Sequence, residues 1–351
     1  MLYETGNPHG GDLYTRPVRL DFSANINPYG TPPEVKEALL RSAELLLHYP
    51  DPYCRELTAA IGDFEQVPRS HILCGNGAAE LIFSYCMALK PRKAMVLSPC
   101  FSEYETALHT VGCQVDHYLL YRERNFDLTE DFLPLLRSWD GDVLMLCNPN
   151  NPTGRIIDPA LLEQIALLCR EKGIRLFVDE CFLDLTEGGE ALSLKNRLEQ
   201  WPHVLLLKAF TKCYGMAGLR LGYCLCADAE LLRVMGRAVQ PWNVSIPAQK
   251  AGVAALKQRE FVRRAKECIA EQRQYLLEAL EGLGLQPVDS RTNYILFYSV
   301  RELKQPLLEK GILIRDCSNY PGLTRGWYRI AVKLPEENRA LIGAMEEIIN
   351  G

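Results

Sequence analysis

The segment Leu207–Tyr223, LKAFTKCYGMAGLRLGY, is the most informative stretch of this chain. It begins in an apolar run that predicts a strand, and Lys212 follows on the loop after it. Arg220 comes eight residues later, with small residues between the two. A buried lysine can form a Schiff base with an aldehyde, and the fork of an arginine suits a phosphate dianion. Alone, the segment also fits a surface loop with two ordinary basic residues.

Two further segments favour a shared site. CNPNNPTG (147–154) follows the strand-like run VLMLC, and the run LFVDE (176–180) ends in carboxylates. In a parallel α/β sheet, ligands bind outside the carboxyl ends of the strands. Asn151, Asp179 and Lys212 all follow such ends, so we expect them to converge. An aspartate there can keep a pyridine nitrogen protonated, and the three segments together predict pyridoxal 5'-phosphate (PLP) as cofactor.

Length and composition predict a two-domain protein of ordinary charge. The chain has 351 residues, of which 48% are hydrophobic, and its formal net charge of −5 lacks the basic excess of nucleic-acid-binding proteins. No apolar run approaches the ~20 residues of a membrane span, and the N-terminus lacks an apolar signal core. We therefore expect a cytoplasmic protein without membrane or nucleic-acid partners. Its 13 cysteines include no CxxC pair, which favours buried thiols over disulfides or a metal site.

The order of strand and helix patterns predicts an α/β fold. Strand-like runs occur at 94–98, 143–147, 175–179, 204–208 and 221–226. Helical patterns separate most of these runs, which favours a large domain with a mostly parallel, seven-stranded-type sheet flanked by helices. The expected divisions are an N-terminal arm with part of a small domain (1–45), a large PLP-binding domain (46–240) and a small α+β domain (241–351).

Several element ends are also predicted. Asp158 should cap a helix that reaches Lys172, and Gly173 should stop it. Thr31 should cap an earlier helix, with Pro32 at its first position and Glu34 completing a capping box. In the small domain, one long helix is expected from about 247 to 283. Strands at 293–298, 312–316 and 327–332 and a helix from about 336 should follow it.

A small-residue turn at 74–80, CGNGAAE, opens a helical pattern. The first turn of a helix presents free N–H groups and a positive dipole end, which suits a phosphate. Gly77, Ala78 and Ala79 are therefore candidate phosphate ligands, although a plain tight turn would look the same.

With these segments together, the chain resembles the PLP enzymes of the aspartate-aminotransferase fold (class I/II aminotransferases), in the branch that contains histidinol-phosphate aminotransferase. The resemblance rests on NNPTG, DE and TKxxGMAGLRLGY in this order and spacing, and it extends from the string DFSANINP (21–28) to YRIAV (328–332). It implies that Lys212 is the Schiff-base lysine and a proton carrier. It implies that Asp179 pairs with the pyridinium nitrogen, and that Asn151 donates to the phenolic oxygen of the ring.

The resemblance also implies the remaining cofactor contacts. Phe101 would stack on the ring, unless it is simply a core aromatic residue. Gly77, Ala78 and Ala79, with Thr211 and Arg220, would hold the cofactor phosphate. Tyr49 would reach this phosphate from a partner subunit, which implies a homodimer with shared active sites; its alternative is turn packing before Pro50.

A narrower resemblance concerns the reaction. The strings LDFSANINPYG, HYPDP, QPW and IRDCSNYPGL resemble the threonine-phosphate decarboxylases. Two positions depart from the usual aminotransferase pattern: Phe182 replaces a tyrosine, as in those decarboxylases, and Ala209 replaces a hydroxyl residue that would contact the phosphate. The resemblance therefore implies decarboxylation of L-threonine phosphate, with histidinol-phosphate amino transfer or serine-phosphate decarboxylation as alternatives.

Four residues are the candidate substrate ligands. Arg329 would grip the substrate carboxylate, unless it forms a structural ion pair. Arg315 and His9 would help to hold the substrate phosphate, unless they are a charged strand edge and a solvated side chain. Asn27, beside Pro28, would touch the substrate or cap a turn.

Overall fold

The computed structural model describes residues 9–15 and 17–351. Its strands are β1 (Leu20–Asp21), β2 (Ile72–Gly75), β3 (Lys93–Ser98), β4 (Gln114–Leu119), β5 (Val143–Cys147), β6 (Arg175–Asp179), β7 (Val204–Ala209), β8 (Gly222–Leu225), β9 (Gln286–Pro287), β10 (Tyr294–Tyr298), β11 (Ile312–Leu313), β12 (Arg315–Asp316) and β13 (Trp327–Ala331). Its α-helices are α1 (Pro33–Ser42), α2 (Arg55–Glu65), α3 (Ala78–Leu89), α4 (Glu103–His109), α5 (Phe132–Ser138), α6 (Pro159–Lys172), α7 (Gly189–Leu192), α8 (Phe210–Cys213), α9 (Ala229–Ala238), α10 (Ile246–Ala255), α11 (Arg259–Gly282), α12 (Lys304–Glu309) and α13 (Pro335–Asn350).

Seven strands form the large sheet in the order β2-β8-β7-β6-β5-β3-β4. All pairs are parallel except those of β8, which runs antiparallel to both β7 and β2. Every residue of β5 and β7 is buried, as expected for strands covered on both faces. The predicted large, mostly parallel sheet flanked by helices is confirmed. Two of its strands, β2 and β4, had not been predicted.

The sheet register brings the predicted site strands level with one another. Cys147 at the end of β5 pairs with Asp179 at the end of β6, and Asp179 pairs with Leu207 in β7. The loops that carry Asn151 and Lys212 therefore leave the sheet at the same edge. This edge is where parallel α/β folds bind ligands.

Helix α6 begins and ends where the sequence predicts. The Asp158 carboxylate accepts hydrogen bonds from the N–H groups of Ala160 and Leu161 at 2.9 and 3.0 Å. Gly173 ends the helix with a φ of 71°, in the left-handed region that glycine adopts without strain.

The predicted capping box at α1 is wrong. The helix starts at Pro33 with Pro32 at the N-cap, and no side chain caps it. The Thr31 hydroxyl instead donates to the carbonyl oxygen of Gly215 at 2.7 Å. The Thr31 hydroxyl therefore bonds to the backbone of a loop distant in sequence and does not cap its own helix.

The single long helix predicted from 247 to 283 is two helices. Helix α10 ends at Ala255, and α11 begins at Arg259. Helix α10 packs against α1 and α2, whereas α11 packs against α13 and β9. The apolar residues of the two helices are therefore buried against different parts of the fold.

The smaller sheet has the order β12-β13-β10-β9 and is antiparallel. The strand predicted at 312–316 divides between two sheets, because β11 pairs with β1 while β12 pairs with β13. The start of the described chain therefore lies beside its C-terminal third. The predicted domain boundaries at 45 and 240 stay predictions. In residues 9–15 and 17–351, no helix combines the length and hydropathy needed to cross a bilayer.

Candidate active site

A cavity of about 410 Å³ lies at the carboxyl edge of the large sheet. The cavity brings together most of the residues that the sequence predicts as cofactor or substrate ligands. Those in its lining are His9, Ala78, Ala79, Phe101, Asn151, Asp179, Thr211, Lys212, Arg220, Arg315 and Arg329. The expected convergence of three separate strand ends is confirmed.

Lys212 lies in the short helix α8, directly after β7. Burial of the amine lowers its pKa to about 8, and the neighbouring guanidinium groups of Arg329 and Arg220 act in the same direction. Asp179 and Cys181 oppose this shift. Near pH 8 about half of such amines are neutral, and a neutral amine is the form that can attack a carbonyl.

Asp179 is a buried carboxylate at the end of β6. Its Oδ2 accepts a hydrogen bond from the Tyr104 hydroxyl at 2.6 Å, and its Oδ1 accepts one from the Cys181 N–H at 2.9 Å. Burial raises the pKa of this carboxyl, while hydrogen bonds from the Cys181 thiol, the Tyr104 hydroxyl and the Cys181 N–H, together with the Lys212 charge, lower it. The Asp179 carboxylate, fixed in place by these hydrogen bonds, can therefore pair with a cation in the cavity.

Arg329 projects from β13 and is 5% exposed. Its Nη1 donates to Asn151 Oδ1, and its Nη2 donates to the Ser23 carbonyl oxygen at 2.9 Å. In the part of the chain that the structure describes, its buried Nε–H has no hydrogen-bond partner and no carboxylate pairs with it. A buried charge without a counter-ion is costly, so this guanidinium is suited to an anionic ligand.

The N-terminus of α3 and the Arg220 guanidinium lie together in the lining of the cavity. No side chain caps α3, and the Asn76 N–H before it is bonded to Glu80 Oε2 at 2.6 Å. Gly77 has a φ of 82°, and a Cβ atom built there would lie 2.5 Å from an Arg220 Nη. The absence of a side chain at Gly77 therefore makes the room in which the guanidinium meets the helix start.

A third group of residues lies at the side of the cavity nearest the arm. His9 Nε2 is 3.0 Å from Glu103 Oε1, and the His9 ring lies 6.0 Å from that of Phe101. Arg315 donates from Nη2 to Asn319 Oδ1 at 2.8 Å and lies 5.3 Å from the centre of the Tyr320 ring. Arg315 thus adds a third guanidinium to the cavity, after those of Arg220 and Arg329, and it pairs with Arg329 across β12 and β13.

Asn27 and Tyr49 do not line this cavity. The Asn27 side chain donates to the Cys213 carbonyl oxygen at 2.7 Å and accepts from the Tyr29 N–H at 2.9 Å. Both of its polar atoms are engaged with the backbone, which favours the turn-capping alternative; the substrate contact of Asn27 stays a prediction. Tyr49 is 79% exposed, and its ring lies 4.7 Å from that of Trp242. Gly77 also lies outside the lining and acts through Arg220.

Sequence reasoning missed several residues of the site. Tyr104 binds Asp179, and Tyr320 and Glu103 line the cavity. Tyr104 lies in the first turn of α4 and bonds a residue 75 positions away, so no local pattern could have indicated its role. Ser23 contributes a carbonyl oxygen, which no side-chain pattern could reveal.

Comparison with known proteins agrees with this geometry. Residues 18–344 match the family of class I and II aminotransferases. The chain is 39% identical to the threonine-phosphate decarboxylase of Salmonella typhimurium, over 95% of this chain and 92% of that protein. It is 36% identical to a histidinol-phosphate aminotransferase of Desulfitobacterium hafniense, over 95% and 92% of the two chains. The solved structure of the histidinol-phosphate aminotransferase from Clostridium acetobutylicum has a TM-score of 0.88 and 27% identity, covering 94% of this chain and 99% of that one.

Proposed function

The chain belongs to the class I and II aminotransferase family, whose cofactor is PLP, and on this premise we propose that it decarboxylates L-threonine O-3-phosphate. The products would be CO₂ and (R)-1-aminopropan-2-ol O-2-phosphate, the precursor of the cobalamin (corrinoid) side chain. The observation that carries the proposal is the set of cations in one cavity, namely Lys212, Arg220, Arg315 and Arg329. A phosphorylated cofactor and a substrate with both a carboxylate and a phosphate would together supply their counter-ions.

The residues present fit the cofactor. Lys212 offers an amine with a lowered pKa to the aldehyde, and the Asp179 carboxylate would face the ring nitrogen. Asn151 accepts from Arg329 through Oδ1, which leaves its amide N–H groups to donate to the phenolic oxygen. Arg220 beside the start of α3 suits the phosphate, and the tight space over Gly77 supports that assignment. When bound, the cofactor would draw electrons from a Cα bond that stands perpendicular to its ring.

Arg329 is the best-supported ligand for the substrate carboxylate. Its unpartnered Nε–H is buried and the side chain lines the cavity, so an approaching carboxylate would satisfy both a donor and a charge. Arg315 and His9 lie together in the lining and would hold the substrate phosphate. With both ends anchored, rotation about the Cα–N bond is restricted, and that restriction would select the bond to be broken.

Lys212 would also donate the proton that Cα needs after CO₂ has left. The Cα–carboxylate bond breaks, CO₂ leaves, and one proton must be added at Cα. An amine whose pKa is about 8 can hold that proton and release it near neutral pH. The Phe182 ring, with its centre 5.6 Å from Nζ, places no hydroxyl beside this amine.

An exposed apolar surface supports a homodimer. Leu46, Leu47, Tyr49 and Tyr53 are 67%, 91%, 79% and 70% exposed, and Trp242 stands beside them. Adjacent exposed apolar side chains of this number are typical of a protein interface. Tyr49 would then reach the cofactor phosphate of the partner subunit. Light scattering should give a dimer, and a monomeric active protein would refute the shared site.

The reaction can be tested with purified protein, PLP and threonine phosphate. We expect CO₂ release without any keto acid, and no release from Lys212→Ala. Serine phosphate should also react, but about 10- to 200-fold more slowly if the missing methyl group contributes its usual ~1–3 kcal/mol. Amino transfer from histidinol phosphate to 2-oxoglutarate, without CO₂ release from threonine phosphate, would overturn the proposal.

A further inference from the structure

Tyr104 is a buried residue outside the cavity lining that contacts two residues of the site, Asp179 and Phe101. It lies in α4 with 0% exposure, and its hydroxyl donates to Asp179 Oδ2 at 2.6 Å. Its ring packs edge-on against Phe101, with centres 5.7 Å apart, and against Phe177 at 6.1 Å. One side chain thus braces both the aromatic wall of the cavity and its carboxylate.

The surroundings of Asp179 leave few other donors to that oxygen. The Cys181 N–H is bonded to the opposite oxygen at 2.9 Å. The other titratable groups facing this carboxyl are the thiols of Cys147 and Cys181, the Lys212 amine and the Tyr294 hydroxyl. Of these, the Tyr294 hydroxyl donates to the Asn150 carbonyl oxygen at 2.9 Å. The Cys181 thiol is a second side-chain donor to this carboxyl, but a thiol is a weak donor. The Tyr104 hydroxyl, 2.6 Å from Oδ2, is therefore the stronger side-chain donor to Asp179.

We propose that Tyr104 is a positioning residue that keeps Asp179 ionised and oriented toward the ring nitrogen of the cofactor. The inference rests on the proposed cofactor. A short hydrogen bond to a carboxylate stabilises its charged form and fixes its rotation. Burial favours the opposite, protonated form, so the hydroxyl offsets the cost of keeping a charge at this depth.

A matched control lies in the same core. Tyr85 in α3 is 1% exposed and also packs against Phe177, with ring centres 5.1 Å apart. Within residues 9–15 and 17–351, however, its hydroxyl has no hydrogen-bond partner. Tyr85→Phe and Tyr104→Phe therefore remove the same atom from the same packing environment, and only the second removes a bond to Asp179.

The experiment is a PLP titration of the cofactor-free wild type, Tyr85→Phe and Tyr104→Phe from about pH 6 to 9. Tyr104→Phe should bind PLP roughly tenfold or more weakly than Tyr85→Phe at the acidic end, since a hydrogen bond to a charged group is lost. The difference in PLP affinity between Tyr104→Phe and Tyr85→Phe should become smaller as the pH rises. The reason is that Asp179 with a raised pKa must release a proton before it can pair with the ring, and at higher pH that proton is already gone.

The outcomes separate this inference from the proposed function. If Tyr104→Phe follows Tyr85→Phe at every pH, or differs by a constant factor, the positioning role is refuted while the cofactor assignment stands. If the wild type itself fails to bind PLP, both fall together. Thermal unfolding of the cofactor-free forms shows whether both variants are folded: we expect a cooperative transition in each, with the lower midpoint in Tyr104→Phe because the Asp179 carboxylate loses a donor.

Discussion

Removal of the buried Lys208 ammonium should destabilise the protein strongly and in a pH-dependent way. Lys208 is 2% exposed and lies in β7, on the segment that leads to Lys212. Its Nζ is 2.8 Å from Asp184 Oδ1, 3.4 Å from Glu65 Oε1 and 3.9 Å from Glu180 Oε2. Glu65 and Glu180 are 1% and 0% exposed. One ammonium therefore compensates three carboxylates, which lie at the end of α2, directly after β6 and in the short 3-10 turn that follows β6.

The magnitude follows from what Lys208→Met would leave behind. Removing one partner of a buried ion pair costs about 3–5 kcal/mol, because the remaining charge stays buried without compensation. Lys195 Nζ, at 2.9 Å, and the Tyr223 hydroxyl, at 2.5 Å, still serve Glu65. Glu180 keeps only the Ser193 hydroxyl and the Leu194 N–H. We therefore expect a loss near the lower limit, about 3 kcal/mol, at pH 8.

The sign of the pH dependence comes from Glu180. Burial raises the pKa of its carboxyl to about 7, against the opposing effect of Lys208. A carboxyl whose pKa is higher in the folded than in the unfolded protein destabilises the fold as the pH rises through that folded pKa, and it has no such cost at low pH. Without Lys208 the pKa rises further. The loss in Lys208→Met should thus be full above about pH 8 and should shrink as the pH falls toward about 5.

Urea unfolding of the cofactor-free protein at about pH 5.5 and 8.5 would measure this difference. The control is Lys250→Met, which breaks an exposed pair with Glu56 at 2.6 Å and should change the free energy of unfolding by less than about 1 kcal/mol. Adding Glu180→Gln to Lys208→Met should restore part of the stability at the higher pH. A loss in Lys208→Met that is no larger than in the control, or that is equal at both pH values, would refute this reasoning.

Three further changes have expected outcomes. Gly77→Ala should cost about 1–3 kcal/mol of backbone strain and should weaken PLP binding by displacing Arg220, whereas Gly218→Ala, whose added Cβ meets open space, should bind PLP normally in the same absorbance titration. Arg329→Lys should raise the KM for threonine phosphate about tenfold or more in the CO₂ assay, because an ammonium cannot both keep the bonds to Asn151 and Ser23 and donate to a carboxylate; an unchanged KM would contradict the carboxylate assignment. Asp158→Ala should lower the free energy of unfolding by ~1 kcal/mol with unchanged CO₂ release, since two backbone N–H groups of α6 lose their acceptor; a drop in specific activity would argue against a purely local cap.

Features that depend on neighbours in the chain could be predicted from the sequence. Strands β5, β6 and β7 are covered on both faces, so each reads as one apolar run. Strand β4, QVDHYL, pairs only with β3 at the edge of the sheet, and most of its residues are partly or fully exposed. No apolar run marks such a strand. The break between α10 and α11, at 256–258, contains neither glycine nor proline, and only the packing partners of the two helices divide them.

The same distinction applies to the site. Lys212, Asp179 and Arg220 could be identified because each lies at a fixed distance from a recognisable strand or loop. The sequence left two alternatives open for Asn27, and its amide bonds to the carbonyl oxygen of Cys213, 186 residues away, which no local pattern indicates. Tyr104 was missed for the same reason: its partner, Asp179, is 75 residues away. Contacts of this kind depend on how the sheet brings distant loops together, and no periodicity encodes them.

The charges around the sheet edge are divided between two environments, and the division bears on how ligands affect stability. Behind the strands, Lys208 is surrounded by carboxylates at short distances. In the cavity, Arg220 and Arg329 have no carboxylate partner in the described residues, and both lower the pKa of the Lys212 amine. The first group stabilises the fold by itself, whereas the second is at its least favourable before any anion binds. A bound phosphate and a bound carboxylate would supply the counter-charges that Arg220 and Arg329 lack in the cofactor-free protein. This electrostatic gain strengthens ligand binding, and it stabilises the folded protein only when the ligands are bound.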